Sequence, residues 1–348
     1  MTTDSRPRIS IVLPCRNEER YIGACLDSIL ATSYPLDRIE VLVVDGMSED
    51  GTRDLLATYA RQHSAIHVLD NSRRITPVAL NLGIRAASSE IIMRMDAHVV
   101  YPPEYIPRLV DALLTSNADN VGGVIVTLPA DTTAMARAIA VGLSHPFGVG
   151  NADFRIGVGT VRWVNSVPFG CFRREVFERI GLFDEELVRN QDDEFNLRLI
   201  KSGGRILLLP DVVSYYYARR ALRDVVRMFY QYGYFKPLVA RKIERVKTWR
   251  QLVPGLFVLT LAGTALFSSV HPPLLQIAGG VAGAYIAAVI GCAASAVRRQ
   301  GWRCALALTA VFPAIHVSYG IGSLRGAFES LLRRRRPRRD PALIPLSR

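Results

Sequence analysis

Apolar and polar positions alternate between two periods along the first part of the chain. "ISIVLP" (9–14) is an apolar run closed by proline, and "IEVLVVD" (39–45) is a second run that ends on an acid. "IHVLDN" (66–71) and "EIIMRMD" (90–96) follow. Short apolar runs of this kind predict strands. Between them, "YIGACLDSILAT" (21–32), "TRDLLATYARQH" (52–63) and "TPVALNLGIRAA" (76–87) place apolar residues at helical spacing. This alternation predicts an α/β fold over residues 1–217, a parallel sheet covered by helices on both faces. Such sheets bind ligands beyond the carboxyl ends of their strands, where Asp45 and Asp96 both fall.

The pattern changes after residue 217. Residues 218–250 interleave basic residues with Phe, Tyr, Leu, Val and Trp. They read as two short amphipathic helices split at Pro237, lying in a membrane interface. Residues 251–325 then read as a membrane region. "LVPGLFVLTLAGTALFSSV" (252–270) and "LLQIAGGVAGAYIAAVIGCAASAV" (274–297) are uncharged, and "HPP" joins them as a tight turn. About 20 apolar residues span a bilayer core, so this pair predicts a transmembrane hairpin. A third apolar run, 304–324, carries Pro313, His316 and several glycines and is a weaker span; a basic tail, 326–348, closes the chain.

Charge sharpens this division. Residues 1–217 hold 22 Lys/Arg and 27 Asp/Glu, 218–250 hold ten and two, 251–297 hold none, and 298–348 hold eleven and two. Basic residues that bracket an apolar block point to anionic lipid headgroups rather than to nucleic acid. The basic residues on either side of the hairpin orient the N-terminal part and residues 298–303 to the cytoplasm, on the inner membrane. The tail "RRRRPRR" (333–339) fits the same side only if the third run is re-entrant or interfacial. The five cysteines make no zinc or disulfide spacing, and "MTTDSRPRIS" has no apolar core of a cleavable signal peptide.

Three places carry candidate chemistry. Asp45 ends a strand in "VVDGMSEDGT", where Gly46 permits a tight turn. Asp96 and His98 stand two apart; in an extended segment both point the same way and can meet one divalent ion. Mn²⁺ or Mg²⁺ prefers oxygen ligands and often completes its shell with substrate phosphates. "NQDDEFNLRLIKSGG" (190–204) sets Asp192, Asp193 and Glu194 at a helix start. Acids there stabilise the helix or hold a general base over the ligand edge. "PCRNEE" after the first strand lacks the G-x-G-x-x-G of dinucleotide enzymes.

In this order, "ISIVLPCRNEERYIGACLDSI", "EVLVVDGMSEDGT", the Asp-x-His strand end, "FGCFRREVFERIGLFDEEL" and "QDDEFNLRL" resemble the family-2 glycosyltransferases over about residues 8–215. "MDAHVVYPPEYI", "NQDDEFNLRLIKSGG" and "HVSYGIGSLRG" resemble a narrower group, the succinoglycan-biosynthesis (ExoA-type) membrane glycosyltransferases.

The resemblance implies a Rossmann-like GT-A fold, a nucleotide-sugar donor and an inverting transfer. It sets Pro14, Arg16, Asn17 and Glu18 in the loop that cradles the nucleotide, and Asp45 against the base. Asp96 and His98 replace the usual Asp-x-Asp, which binds the divalent metal and the diphosphate. Asp192 stands as catalytic base, with Asp193 and Glu194 as runners-up and Arg198 six residues on. A UDP-linked hexose such as glucose is the donor implied, and a lipid-linked saccharide the acceptor. Arg219, Arg220, Arg223 and Arg227 are candidates for its diphosphate. Transfer to a polyprenyl monophosphate, processive synthesis and a membrane-tethered nucleotide-sugar binding module are the alternatives. The "QxxRW" of processive synthases is absent.

Overall fold

A computed structural model describes residues 6–244 and 248–332. The order opens β1 (Ile9–Cys15), α1 (Ile22–Leu30), β2 (Ile39–Asp45), α2 (Thr52–Gln62), β3 (Ile66–Asp70), α3 (Thr76–Ala86) and β4 (Ile91–Arg94). It continues with β5 (Val99–Val100), α4 (Tyr105–Thr115), β6 (Asn120–Leu128), α5 (Ala134–Ser144), α6 (Pro146–Val149), α7 (Asp153–Ile156) and β7 (Arg162–Val164). Then come β8 (Cys171–Arg173), α8 (Arg174–Ile180), α9 (Gln191–Lys201) and β9 (Ile206–Tyr217). Four long helices and their connections follow: α10 (Leu222–Ile243), α11 (Val253–Phe267), α12 (Pro273–Gln300) and α13 (Trp302–Leu332).

The sheet runs β3-β2-β1-β4-β8-β6-β9-β5, with β7 paired to β9. Its first half is parallel, as expected from the alternation. The second half is mixed, a correction to the all-parallel sheet: β8 is antiparallel to both β4 and β6. β8 has three residues, too short to leave a periodic signal. Both faces of β1 are covered. Ile9, Ile11 and Leu13 enter one apolar cluster and Val12 the other. Val12 packs so tightly under α3 that a Cβ on Gly83 would stand 2.4 Å from its methyl. β9 bends between its two halves: its register against β6 shifts at Gly123/Val124. Its far end carries Tyr216 back to pair with Val99, beside the exit of β4.

Residues 222–243 form one helix, not two. An interior proline costs about 3 kcal/mol. Burial on both sides of Pro237 offsets that: Tyr234, Phe235, Leu238 and Val239 are all buried. Ile75, Val78, Leu187 and Val188 pack against these side chains, and α13 packs against the helix backbone. Cβ atoms on Gly233, Gly322 and Gly326 would each stand 2.1 Å from a carbonyl oxygen of the facing helix, so these two backbones touch directly.

Three helical segments, Trp249–Phe267, Pro273–Gln300 and Trp302–Leu332, are long and apolar enough to cross a membrane. The first two expose apolar side chains along their length, among them Leu256, Leu259, Leu266, Ile286 and Ile290. The third differs. It continues unbroken through Pro313 and runs on past residue 325 into what reads as tail. Its first half buries Leu308, Val311 and Phe312. Val311 meets Gly142 of α5. His316 donates from Nε2 to the Phe147 carbonyl at 2.7 Å, and its Nδ1 accepts from Tyr285 Oη at 2.9 Å. One imidazole thereby ties α12 and α13 to α6. The run "RRRRPRR" lies outside the described residues.

Candidate active site

A cleft opens over the carboxyl ends of β1 and β4. Pro14, Arg16 and Glu18 line one wall, Arg94, Asp96 and His98 the floor, and Asp192 the opposite wall. The loop after β1 is stitched to the loop after β2. The Asn17 N–H donates to Ser48 Oγ at 2.8 Å, and Asn17 Oδ1 accepts from the Glu49 N–H at 2.9 Å. The Glu18 N–H donates to Thr52 Oγ1 at 2.8 Å. Asn17 makes its bonds at φ 52°, a left-handed conformation that asparagine tolerates. Its amide is thus spent on the neighbouring loop, and Asn17 is not in the cleft lining. Gly46 lets Arg16 lie across the turn: a Cβ there would stand 3.2 Å from the Arg16 Cβ.

Asp45 is fully buried beneath the cleft rather than exposed in it. Its carboxylate accepts from the Ser48 N–H at 3.1 Å, from Ser48 Oγ at 2.5 Å and from Arg53 Nη1 at 2.8 Å. Arg53 also reaches Asp70 at 2.9 Å. Asp45 therefore braces the β2–α2 turn, and the wall above it is built by Gly46 and Asn71.

Asp96 and His98 both face the cleft, but not from an extended strand. β4 ends at Arg94, and a turn holds residues 97–98. The Asp96 N–H donates to Tyr101 Oη at 2.9 Å, which fixes the turn. The Asp96 carboxylate lies 3.3 Å from Arg94 Nη2. His98 donates from Nδ1 to Glu18 Oε1 at 3.0 Å and packs edge-on against Tyr216 at 5.2 Å. The buried Glu18 thus fixes the orientation of the ring. Among the described residues no cluster of three or more His, Cys, Asp or Glu is disposed to hold a metal ion. One carboxylate and one oriented imidazole still match a divalent ion that takes its other ligands from phosphate and water.

The acids of "QDDE" diverge because successive helical residues point about 100° apart. Asp192 lines the cleft. Its Oδ1 accepts from the Asp193 N–H at 2.9 Å, and its Oδ2 lies 3.5 Å from Arg94 Nη1. Asp193 points away from the cleft and pairs with Lys236 of α10. Glu194 takes Arg198 in a two-point bond, at 2.8 and 2.9 Å, and Arg198 also binds the carbonyls of Ile180 and Leu182. Glu194 and Arg198 therefore clamp the loop after α8 and do not face the cleft. Asp193, a runner-up base by sequence, is an anchor of α9.

Arg94 was not singled out by sequence reasoning, although a lone charge in an apolar strand is the signal for it. It sits between Asp96 and Asp192. Burial works against its charge, but those two carboxylates more than offset this and hold its pKa above the ordinary value. Of the four arginines considered for an acceptor diphosphate, Arg219 alone lines the cleft. Arg220 pairs with Asp131 at 2.8 Å, and Arg223 and Arg227 are exposed. Arg155, Arg189, Tyr216 and Tyr232 complete that wall.

Residues 10–181 match the family model described as Glycosyl transferase family 2. Succinoglycan biosynthesis protein ExoA of Rhizobium meliloti (strain 1021) is 32% identical over 264 residues, 75% of this chain and 78% of that protein. A Methanococcus voltae relative, dolichyl N-acetyl-alpha-D-glucosaminyl phosphate 3-beta-D-2,3-diacetamido-2,3-dideoxy-beta-D-glucuronosyltransferase, is 29% identical over 67% of this chain and 74% of its own. In fold, the chain is similar to mannosyltransferase PcManGT from Pyrobaculum calidifontis, solved with GDP-Man and Mn²⁺. The TM-score is 0.58 at 22% identity, covering 91% of this chain and 88% of that one.

Proposed function

This chain belongs to glycosyl transferase family 2, and we propose that it transfers a hexose from a nucleotide sugar, with inversion, to a lipid-linked saccharide. The fold is GT-A-like and is followed by helices able to span a membrane. The reading places the cleft on the cytoplasmic side of the inner membrane, with UDP as the donor nucleotide. The observation that carries it is the line Asp96–Arg94–Asp192, one guanidinium joining the floor of the cleft to its far wall.

The attacking group is a hydroxyl of the acceptor. As its oxygen bonds to the anomeric carbon, its proton passes to Asp192. Oδ1 is held by the helix backbone, so Oδ2, which also faces Arg94 at 3.5 Å, is the oxygen that accepts. The bond from the anomeric carbon to the diphosphate oxygen breaks on the opposite face, so the centre inverts. Hydrolases of glycosides need a second carboxyl to protonate the leaving group; a nucleoside diphosphate is acidic enough to leave as an anion. Asp96 and His98 would hold Mn²⁺ or Mg²⁺, and Glu18 would orient His98. When bound, that ion supplies positive charge to the departing diphosphate. Arg16 and the backbone around Pro14 would hold the nucleotide, over a loop that Asn17 and Asp45 keep rigid.

Membrane fractions containing the chain, supplied with a panel of nucleotide sugars, test this reading. Release of nucleoside diphosphate that needs Mn²⁺ or Mg²⁺ and rises with lipid-linked acceptor is expected. Equal turnover on a soluble sugar would refute the lipid acceptor, and no release with any donor would refute the transferase.

A further inference from the structure

The third membrane-length helix, α13, is buried along one side. Cys304, Leu308, Val311, Ile315, Gly322 and Gly326 recur at helical spacing, and all are buried. At 1.5 Å per residue this stripe runs about 33 Å, the depth of a bilayer core. The cleft-bearing domain covers its first half. Val311 meets α5: a Cβ on Gly142 would stand 2.7 Å from its methyl. Phe312 packs edge-on against Phe147 of α6 at 5.1 Å. α10 covers the second half. Arg325 donates to Tyr230 Oη at 2.9 Å, and the Ser330 carbonyl accepts from Arg241 at 3.1 Å.

α10 is in turn fixed to the cleft. Lys236 pairs with Asp193 of α9, and Lys242 with Asp184 and Glu186. The Tyr232 carbonyl accepts from Asn190 Nδ2 at 2.9 Å, close to the Asp192 that lines the cleft. A hydrocarbon core laid across the charge-free residues 304–324 would set α6 at one surface and Arg325 at the other. The ion pairs of α9 and α10 would then lie within or beyond the lipid, and Asp192 with them. Charged groups are costly in hydrocarbon. The other side of α13 meets the hairpin. Gly320 lies roughly 200° around the helix from Gly322, and a Cβ on it would stand 2.3 Å from the Pro254 carbonyl oxygen of α11. α13 is therefore a middle layer. The hairpin has a different character: residues 251–297 carry no charged side chain. Exposed Trp249 and Trp302 bracket it, and Arg250 and Arg303 lie over their rings at 5.9 and 5.4 Å. Tryptophan beside arginine marks a membrane surface.

We propose that α13 does not cross the bilayer: it lies along the membrane surface on the side of the cleft, and the lipid receives the hairpin of α11 and α12 instead. Both ends of α13, Trp302 and Leu332, then stand on the cleft's side. The α10 wall of the cleft, which holds Tyr232, stands one helix layer, roughly 8–10 Å, above α13. This arrangement goes beyond the sugar-transfer reading and does not depend on it. It depends on the membrane reading of the hairpin.

The test uses the full chain in sealed membrane vesicles of known orientation and a maleimide that cannot cross the membrane. Cys292→Ala is the background, because the other four cysteines are buried. One exposed cysteine is then added, either Ser64→Cys in the cleft-bearing domain or Leu332→Cys at the far end of α13. Both are expected to label to the same extent from the same side, and neither from the other side until detergent opens the vesicles. Leu331→Cys, also exposed, reads the same end if Leu332→Cys does not fold. Labelling of either α13 variant from the side where Ser64→Cys is silent would overturn the proposal, because a span requires that result. Silence from both sides until detergent is added would put this end in hydrocarbon and overturn it as well. Recovery of the chain in the soluble fraction would remove its premise, the hairpin in lipid, and overturn it too. No donor or acceptor enters the assay, so failure of sugar transfer leaves the result intact.

Discussion

Lys236→Met breaks a buried ion pair between the first turn of α9 and α10. Lys236 and Asp193 are 19% and 12% exposed, so water screens them little. Burial lowers the affinity of Lys236 for its proton, but Asp193 more than compensates, and the pKa stands above its ordinary value. Removing one member of such a pair leaves the other charged and buried, at a cost of about 3–5 kcal/mol. That is a large share of the roughly 5–15 kcal/mol that holds a domain folded. Replacing both, as in Lys236→Met with Asp193→Leu, removes the stranded charge and should recover most of the loss. Denaturant unfolding of the four proteins in detergent gives the coupling energy. The pH dependence has a fixed sign. Because the folded pKa is raised, the stabilisation from Lys236 is fully present below the unfolded value, about 10.4, and is lost as pH climbs through the folded one. A single-mutant cost under about 1 kcal/mol, or a double mutant no better than Lys236→Met, would refute the reasoning.

Other consequences are as direct. Glu18→Gln loosens the hold on His98 and should weaken Mn²⁺ affinity by about 10–100-fold, measured by titrating nucleoside-diphosphate release with the metal. Gly233→Ala drives a methyl into the Tyr319 carbonyl, 2.1 Å away. It should cost about 1–3 kcal/mol and make the α10–α13 seam cleavable in limited proteolysis. Arg220→Ala removes an exposed ion pair with Asp131 and should change stability by less than about 1 kcal/mol, with acceptor KM unchanged.

The parallel half of the sheet was readable because β1, β2 and β4 are buried on both faces and so lack polar positions, apart from Ser10, Glu40 and the ends. β8 was not, since three residues carry no period. Pro237 misled because its local penalty is smaller than the burial on either side of it. The Asp-x-His pair was found by spacing, but its geometry was not. The turn at residues 97–98 aims Asp96 at Arg94 and His98 at Glu18, contacts across 80 residues in the second case. Three adjacent acids in "QDDE" look equivalent in a sequence. Only the phase of α9 sends Asp192 to the cleft, Asp193 to Lys236 and Glu194 to Arg198.

Asp192→Asn tests the central assignment most directly, because it changes one oxygen to nitrogen and keeps the helix start. Sugar transfer to a lipid-linked acceptor and nucleotide-sugar affinity are measured together on the purified chain. The account predicts transfer lowered by at least about 10²-fold, the scale of general-base catalysis, with donor affinity unchanged. Normal turnover in Asp192→Asn would contradict it.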